Sequence, residues 1–164
     1  MAIETERRFL VFSLPAPENI IPDRIVQGYL KTGPFCTVRV RQRNADGFLT
    51  IKGKKTGASA QEFEYALPAD DIPALLALCG RSVLTKDRYN FKGPDGQLWE
   101  IDFFTGNHQG LVIAELELRD ENESFIKPDW LGPEITHDAR FSNAHLVLSG
   151  IAEIKTWLGE YDRL

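Results

Sequence analysis

The run Val38-Arg39-Val40-Arg41-Gln42-Arg43 alternates valine with cationic or polar residues, breaks at Asn44-Ala45-Asp46-Gly47, and resumes as Phe48-Leu49-Thr50-Ile51-Lys52-Gly53-Lys54. A period of two is the signature of a strand, and Asp and Gly tolerate the dihedrals of a hairpin turn. Successive side chains of a strand point to opposite faces, so Arg39, Arg41 and Arg43 share one face, and Lys52 and Lys54 share one face of the next strand. The same period extends in both directions. It predicts eight strands, at about 3–12, 24–31, 35–43, 47–54, 61–67, 82–92, 96–104 and 111–119. Gly93-Pro94-Asp95-Gly96 reads as a second hairpin turn, and Thr32-Gly33-Pro34 separates the second and third strands. Short connections favour antiparallel pairing, because parallel pairs need long crossovers. One helix interrupts the strands, starting at Asp70-Asp71-Ile72-Pro73, with Leu75, Leu76 and Leu78 as its apolar side and Gly80 as its stop. After residue 119 the pattern turns helical: Asp120 to Ile126, Asn143 to Leu148, and an amphipathic helix marked by Ile151, Ile154, Trp157 and Leu158.

The second face of the strands carries the functional signal. Glu4, Glu6 and Arg8 oppose Ile3, Phe9 and Val11. Glu62 and Glu64 alternate with Phe63 and Tyr65, and Lys86 and Arg88 share a face. Glu100 and Asp102 alternate with Trp99, Ile101 and Phe103, and Glu115 and Glu117 with Ala114, Leu116 and Leu118. Any one doublet fits a half-solvated antiparallel sheet with its charged face in water. Seven strands with like-charged doublets are a different matter, since neighbouring like charges cost energy without a counter-charge. Cations can hold the acidic doublets, and an anion rich in oxygens the basic ones. Eight strands can also close into a barrel wide enough inside for a small ligand. On that view the fold is α+β, a closed eight-stranded antiparallel barrel with a charged interior, its apolar outer face covered by helices that are mainly C-terminal; the half-solvated sheet is the alternative.

Composition excludes several alternatives. The chain has 164 residues and 18.5 kDa, 43% apolar and 26% charged, which suits a single globular domain over 1–164. With 24 acidic against 19 basic residues and a pI of about 5.2, it lacks the basic footprint of a nucleic-acid binder. No run approaches the ~18 apolar residues of a membrane span, and Met1-Ala2-Ile3-Glu4 shows no secretory pattern, so a cytoplasmic location is expected. Cys36 and Cys79 read as core thiols. His108, His137 and His145 have no zinc spacing and are expected at the surface. An apolar strand face left uncovered would favour a homodimer.

Glu4-Thr5-Glu6-Arg7-Arg8-Phe9-Leu10-Val11 resembles the N-terminal ExExK signature of the CYTH superfamily, the triphosphate tunnel metalloenzymes. The order continues through Gln27-Gly28-Tyr29-Leu30, Arg39-Val40-Arg41, Leu49-Thr50-Ile51-Lys52, Gln61-Glu62-Phe63-Glu64, Lys86-Asp87-Arg88-Tyr89, Glu100-Ile101-Asp102 and Glu115-Leu116-Glu117. Asp138-Ala139-Arg140-Phe141-Ser142-Asn143 resembles the segment before the closing helices. The resemblance covers essentially the whole chain and is nearest to the short single-domain bacterial type. It implies the closed barrel, as a tunnel that binds a triphosphate, with basic residues on phosphate and acidic residues on Mg²⁺ or Mn²⁺, and inorganic triphosphate as the first substrate. Thiamine triphosphate hydrolysis, a class IV-like adenylate cyclase, and a non-catalytic module binding polyphosphate or an organic triphosphate are the alternatives. Arg8 stands where the signature has lysine, which keeps the charge and adds a planar fork of donors.

On that resemblance, Arg8, Arg39, Arg41, Lys52, Lys86 and Arg88 are the phosphate contacts, with Lys54 near the strand end and Arg43 on the rim. Glu4 and Glu6 are the first metal ligands and Glu115 and Glu117 the next. Glu62, Glu64, Glu100 and Asp102, with Arg8, are the catalytic candidates, free to align cations, hold a second metal or take a proton. Trp99, Phe103 and Tyr89 read as outer packing, and Trp130 and Trp157 as packing against the barrel. Arg140 either caps a tunnel end or pairs with an acid, the pairing being favoured; Tyr29 either approaches the tunnel mouth or is an ordinary strand residue.

Overall fold

The computed structural model describes residues 2–14 and 17–161. Eight strands form it: β1 (Ala2–Leu10), β2 (Asp23–Lys31), β3 (Cys36–Arg43), β4 (Asp46–Gly53), β5 (Ser59–Leu67), β6 (Val83–Lys92), β7 (Leu98–Thr105) and β8 (Val112–Leu118). They close into an antiparallel barrel in the order β1-β5-β4-β3-β2-β6-β7-β8. Two meanders, β2 to β5 and β6 to β8, join along β2 and β6, and β1 closes the ring between β5 and β8. The turn at Asn44 uses a φ of 55°, which asparagine tolerates better than most residues.

The closing strand has two partners on one side. Ala2–Thr5 pair with β5, in a register that ends at Thr5 opposite Ser59. Beyond that point the segment after β8 takes over the free edge. Leu10 N–H donates to Pro133 O at 2.9 Å, Gly132 N–H to Leu10 O at 2.9 Å, and Ile135 N–H to Arg8 O at 2.8 Å. The sequence carries no strand period here, since the segment contributes only a short bridge at Glu134.

The apolar residues form two clusters, on opposite sides of the barrel wall. Outside, Phe9, Trp99, Ile101, Ala114 and Leu116 are covered by Phe125, Trp130 and Leu131 of the irregular chain after β8. Tyr89 and Phe103 also pack on the outside, with ring centroids 5.3 Å apart. Inside, Tyr29, Leu84, Phe104 and Ile113 meet Phe141, Leu146 and Ile154. Helices α2 (Asn143–Leu146) and α3 (Ile151–Tyr161) therefore fill one end of the barrel's interior, which corrects the expectation from sequence that they cover its outer face.

Helix α1 (Ile72–Leu78) does lie outside, ending at Gly80 with a φ of 60°. Its buried residue is Ile72, over Gly47, whereas Leu78 is 73% exposed. No helix forms over Asp120–Ile126: Asp120 Oδ1 accepts the N–H of Asn122, and Glu123 accepts the N–H of Arg119, so side chains take the donors a helix would use. His108 is buried, with Nε2 2.7 Å from Leu146 O, not at the surface. Ile3, Phe63 and Tyr65 remain exposed on the outer face of β1 and β5. Among the described residues no helix is long and apolar enough to cross a membrane.

Candidate active site

Strand parity brings the charges together. Glu4, Glu6 and Arg8 of β1, Arg39 and Arg41 of β3, Lys52 of β4, Glu62 and Glu64 of β5, Lys86 and Arg88 of β6, Glu100 of β7, and Glu115 and Glu117 of β8 all line one cavity of about 910 Å³. Lys54 lines it just beyond the end of β4 and is exposed, and Arg43 stands at the end of β3, its guanidinium 5.5 Å from the Phe48 ring. Asp102 shares the parity but not the cavity wall. It is fully buried, and its carboxylate accepts from Lys86 Nζ and from Arg88 Nε and Nη2 at 2.6 and 2.7 Å.

The ion pairs fall into three groups. Lys52 Nζ bonds Glu4 and lies 3.6 Å from Glu6 and 3.5 Å from Glu62, and Lys55 reaches Glu6 at 3.4 Å. Arg41 Nη2 meets Glu64 at 2.7 Å, and Arg39 Nη2 donates to Thr50 Oγ1 at 3.0 Å. The Thr50 hydroxyl in turn donates a hydrogen bond to Glu64 Oε2 at 2.9 Å. Arg88 joins Asp102, Glu100 and Glu115, and Arg8 Nε meets the other oxygen of Glu115 at 3.0 Å. Among the described residues, three guanidinium nitrogens, Arg8 Nη2, Arg39 Nε and Arg41 Nε, are buried with no hydrogen-bond partner.

These surroundings push the carboxyl groups apart. Burial raises Glu4, and the adjacent Glu62 adds to it against the opposing pull of Lys52. Burial also raises Glu100, helped by Glu115 and Asp102 against Arg88. Glu115 goes the other way: burial alone would raise it, but Arg88, Lys86 and Arg8 hold it well below the usual carboxylate range. Burial opposes the charge of Lys52, yet Glu6, Glu4 and Glu62 outweigh it and raise its pKa. Burial lowers Lys86 despite Asp102.

Among the described residues, no three His, Cys, Asp or Glu side chains form a ready-made metal cage. Glu4 and Glu6 nevertheless suit a hard divalent cation held jointly with phosphate oxygens, since Mg²⁺ commonly uses only one or two carboxylates. Glu117 stands directly opposite Glu6 in the β1–β8 register.

Several lining residues carried no charge signal. Thr50 could have been found by parity with Lys52. Tyr29 does line the cavity, buried, with its hydroxyl accepting from Gln27 Nε2 at 3.3 Å. Thr136 comes from an irregular segment that no period announces, and Ser142 and Asn143 stand at the start of α2, whose helical pattern does not mark them as cavity residues. Cys36 is half-buried against the cavity instead of in the core, and Cys79 is buried under Gly28. Arg140 pairs with Asp138 at 2.7 Å and Glu160 at 2.8 Å.

The CYTH domain model matches residues 2–146 of the chain. An inorganic triphosphatase of Acetivibrio thermocellus is 44% identical over 149 residues, spanning 90% of this chain and 94% of that protein. An inorganic triphosphatase of Nitrosomonas europaea is 38% identical over 150 residues, 89% of this chain and 97% of its own. The crystal structure of the inorganic triphosphatase NE1496 superimposes with a TM-score of 0.67 at 35% identity, covering 91% of this chain and 97% of that one. With the sequence followed over nearly its whole length and the charged strand faces turned inward, the chain belongs to the CYTH domain family.

Proposed function

We propose that this protein hydrolyses a triphosphate, with inorganic triphosphate as its substrate, to diphosphate and phosphate. The observation that carries the reading is the convergence of Arg8, Arg39, Arg41, Lys52, Lys86 and Arg88 on one cavity, with three guanidinium nitrogens buried and unpartnered. A buried donor without an acceptor costs about 1–3 kcal/mol, more when charged, and phosphate oxygens are the acceptors that forked guanidinium groups suit. The names of the relatives at 38–44% identity support inorganic triphosphate.

Phosphoryl transfer needs positioning and charge neutralisation more than covalent help. Arg8, Arg39, Arg41, Lys52, Lys86 and Arg88 hold the phosphate oxygens, and Lys54 serves the mouth. Glu62 and Glu64 keep Arg39, Arg41 and Lys52 in place. Asp102, out of reach of substrate, positions Lys86 and Arg88. Water attacks the terminal phosphorus, the bridging P–O bond breaks, and diphosphate leaves with the electron pair. Glu100, on the cavity wall and with its carboxyl raised by burial, takes the proton the water gives up. Glu4 and Glu6, with Glu115 and Glu117 behind them, would hold Mg²⁺ or Mn²⁺, which supplies charge neutralisation on the phosphate chain when bound.

The test is phosphate release from tripolyphosphate, ATP and thiamine triphosphate with Mg²⁺ or Mn²⁺, against an EDTA control and with cyclic AMP assayed alongside. Tripolyphosphate is expected to lead, and only with metal. Cyclic AMP from ATP, or tight binding without turnover, overturns the reading in favour of a cyclase or a binding module.

A further inference from the structure

The guanidinium of Arg8 is divided three ways. Nε donates to Glu115 Oε1 at 3.0 Å, Nη1 donates to the main-chain carbonyl of Phe141 at 2.8 Å, and Nη2 is buried without a partner. The main chain of the same residue is tied to the same stretch of sequence: Arg8 N–H donates to Thr136 Oγ1 at 3.0 Å, and Arg8 O accepts from Ile135 N–H at 2.8 Å. Just after Phe141, Ser142 and Asn143 line the cavity, and Asn143 Oδ1 is another buried atom with no partner. A guanidinium is planar and rigid, so holding two of its nitrogens sets the direction of the third. A lysine ammonium at this position is a single charge centre on a flexible stem and has no such lever.

We infer that the Phe141 carbonyl positions Arg8 for substrate, so that docking of the segment Ala139–Val147 and binding of triphosphate are coupled through this one side chain. The inference rests on the triphosphate reading above. Coupling between two binding events is reciprocal. If the docked segment aims Nη2 at a phosphate oxygen, a bound triphosphate must hold the segment down by the same factor. The segment is anchored on its far side by the apolar cluster of Phe141, Leu146 and Ile154. Arg8 is thus a contact between the segment and the phosphate-binding wall that a lysine would not reproduce.

Amide hydrogen exchange on the full chain reads this directly, with tripolyphosphate as the probe and EDTA present to stop turnover. In the natural protein, saturating tripolyphosphate is expected to slow exchange at Ser142, His145, Leu146 and Val147 by about fivefold or more. In Arg8→Lys the ligand-induced slowing is expected to vanish while tripolyphosphate still binds. If Arg8 were merely structural, Arg8→Lys would speed exchange with and without ligand but leave the ligand-induced increment unchanged; that result overturns the coupling. Should Arg8→Lys not fold, Arg8→Gln takes its place. In either case, tripolyphosphate bound to the natural protein without slowing these amides also overturns it, and leaves the hydrolase reading standing. A natural protein that neither binds nor hydrolyses tripolyphosphate removes both.

Discussion

At the scale of the residue, two carboxylates that share the inward parity, one on β1 and one on β7, should behave oppositely. Glu4 lies on the cavity wall with its side chain 27% exposed, sharing Lys52 with Glu6 and Glu62. Glu4→Gln keeps the shape and removes a charged oxygen ligand. Turnover of tripolyphosphate should fall on the order of 10²-fold or more. Stability in urea should change by less than about 1 kcal/mol, because the ion pair is partly solvated and Lys52 keeps two other partners. Asp102 is fully buried between Lys86 and Arg88. Asp102→Asn strips the counter-charge from two buried cations and should cost about 3–5 kcal/mol of unfolding free energy. Wild-type stability in that variant would mean that Asp102 does not hold the pair.

Among the elements, the stretch after β8 is the one that covers the edge of β1 left free by β5. It replaces β5 along the second half of β1, and it approaches so closely that a Cβ on Gly132 would lie 2.5 Å from the carbonyl oxygen of Leu10. That oxygen belongs to the backbone and already accepts the N–H of Gly132, so it cannot swing aside. Gly132→Ala should therefore cost about 1–3 kcal/mol in denaturant unfolding, the range for overpacking a tight site. Gly96→Ala makes a useful contrast. Its Cβ would meet open space, and only the φ of 82° penalises it. A Gly132→Ala protein as stable as the natural one would show that the segment is loosely laid against β1.

For the whole molecule, the crowding of charge inside one barrel sets the response to pH. Glu4 and Glu100 have raised carboxyl pKa values, so the native state holds their protons more tightly than the unfolded chain does. Their effect is to increase stability as pH falls from neutrality toward the ordinary glutamate value of about 4.3. Glu115 is depressed, so it contributes stability above that value and loses it as pH falls further, toward its own native pKa. Thermal unfolding in EDTA should accordingly show greatest stability at mildly acidic pH and a steep loss below about 4. Glu4→Gln should flatten the rise. A maximum at pH 8 or above would contradict the raised carboxyl pKa values of Glu4 and Glu100.

The alternation of apolar and charged residues belongs to each strand alone, because backbone geometry sends successive side chains to opposite faces whatever the neighbours are. That is why the eight strands, the inward charges and the residue types suited to a phosphate chain could be read from the sequence. Depth along the barrel axis could not be read this way. Glu100 and Asp102 have the same parity, yet one lines the cavity and the other is sealed beneath two cations, because register with β6 and β8 decides depth. The place of β1 between β5 and β8, the covering of its free edge by 132–135, and the seating of α2 and α3 inside one end likewise rest on contacts between distant parts of the chain. Irregular segments have no period, so Thr136 on the cavity wall and the bond from Arg8 to the Phe141 carbonyl came unannounced. Only closure of the barrel, which leaves β1 with an edge that β5 is too short in register to cover, brought them there.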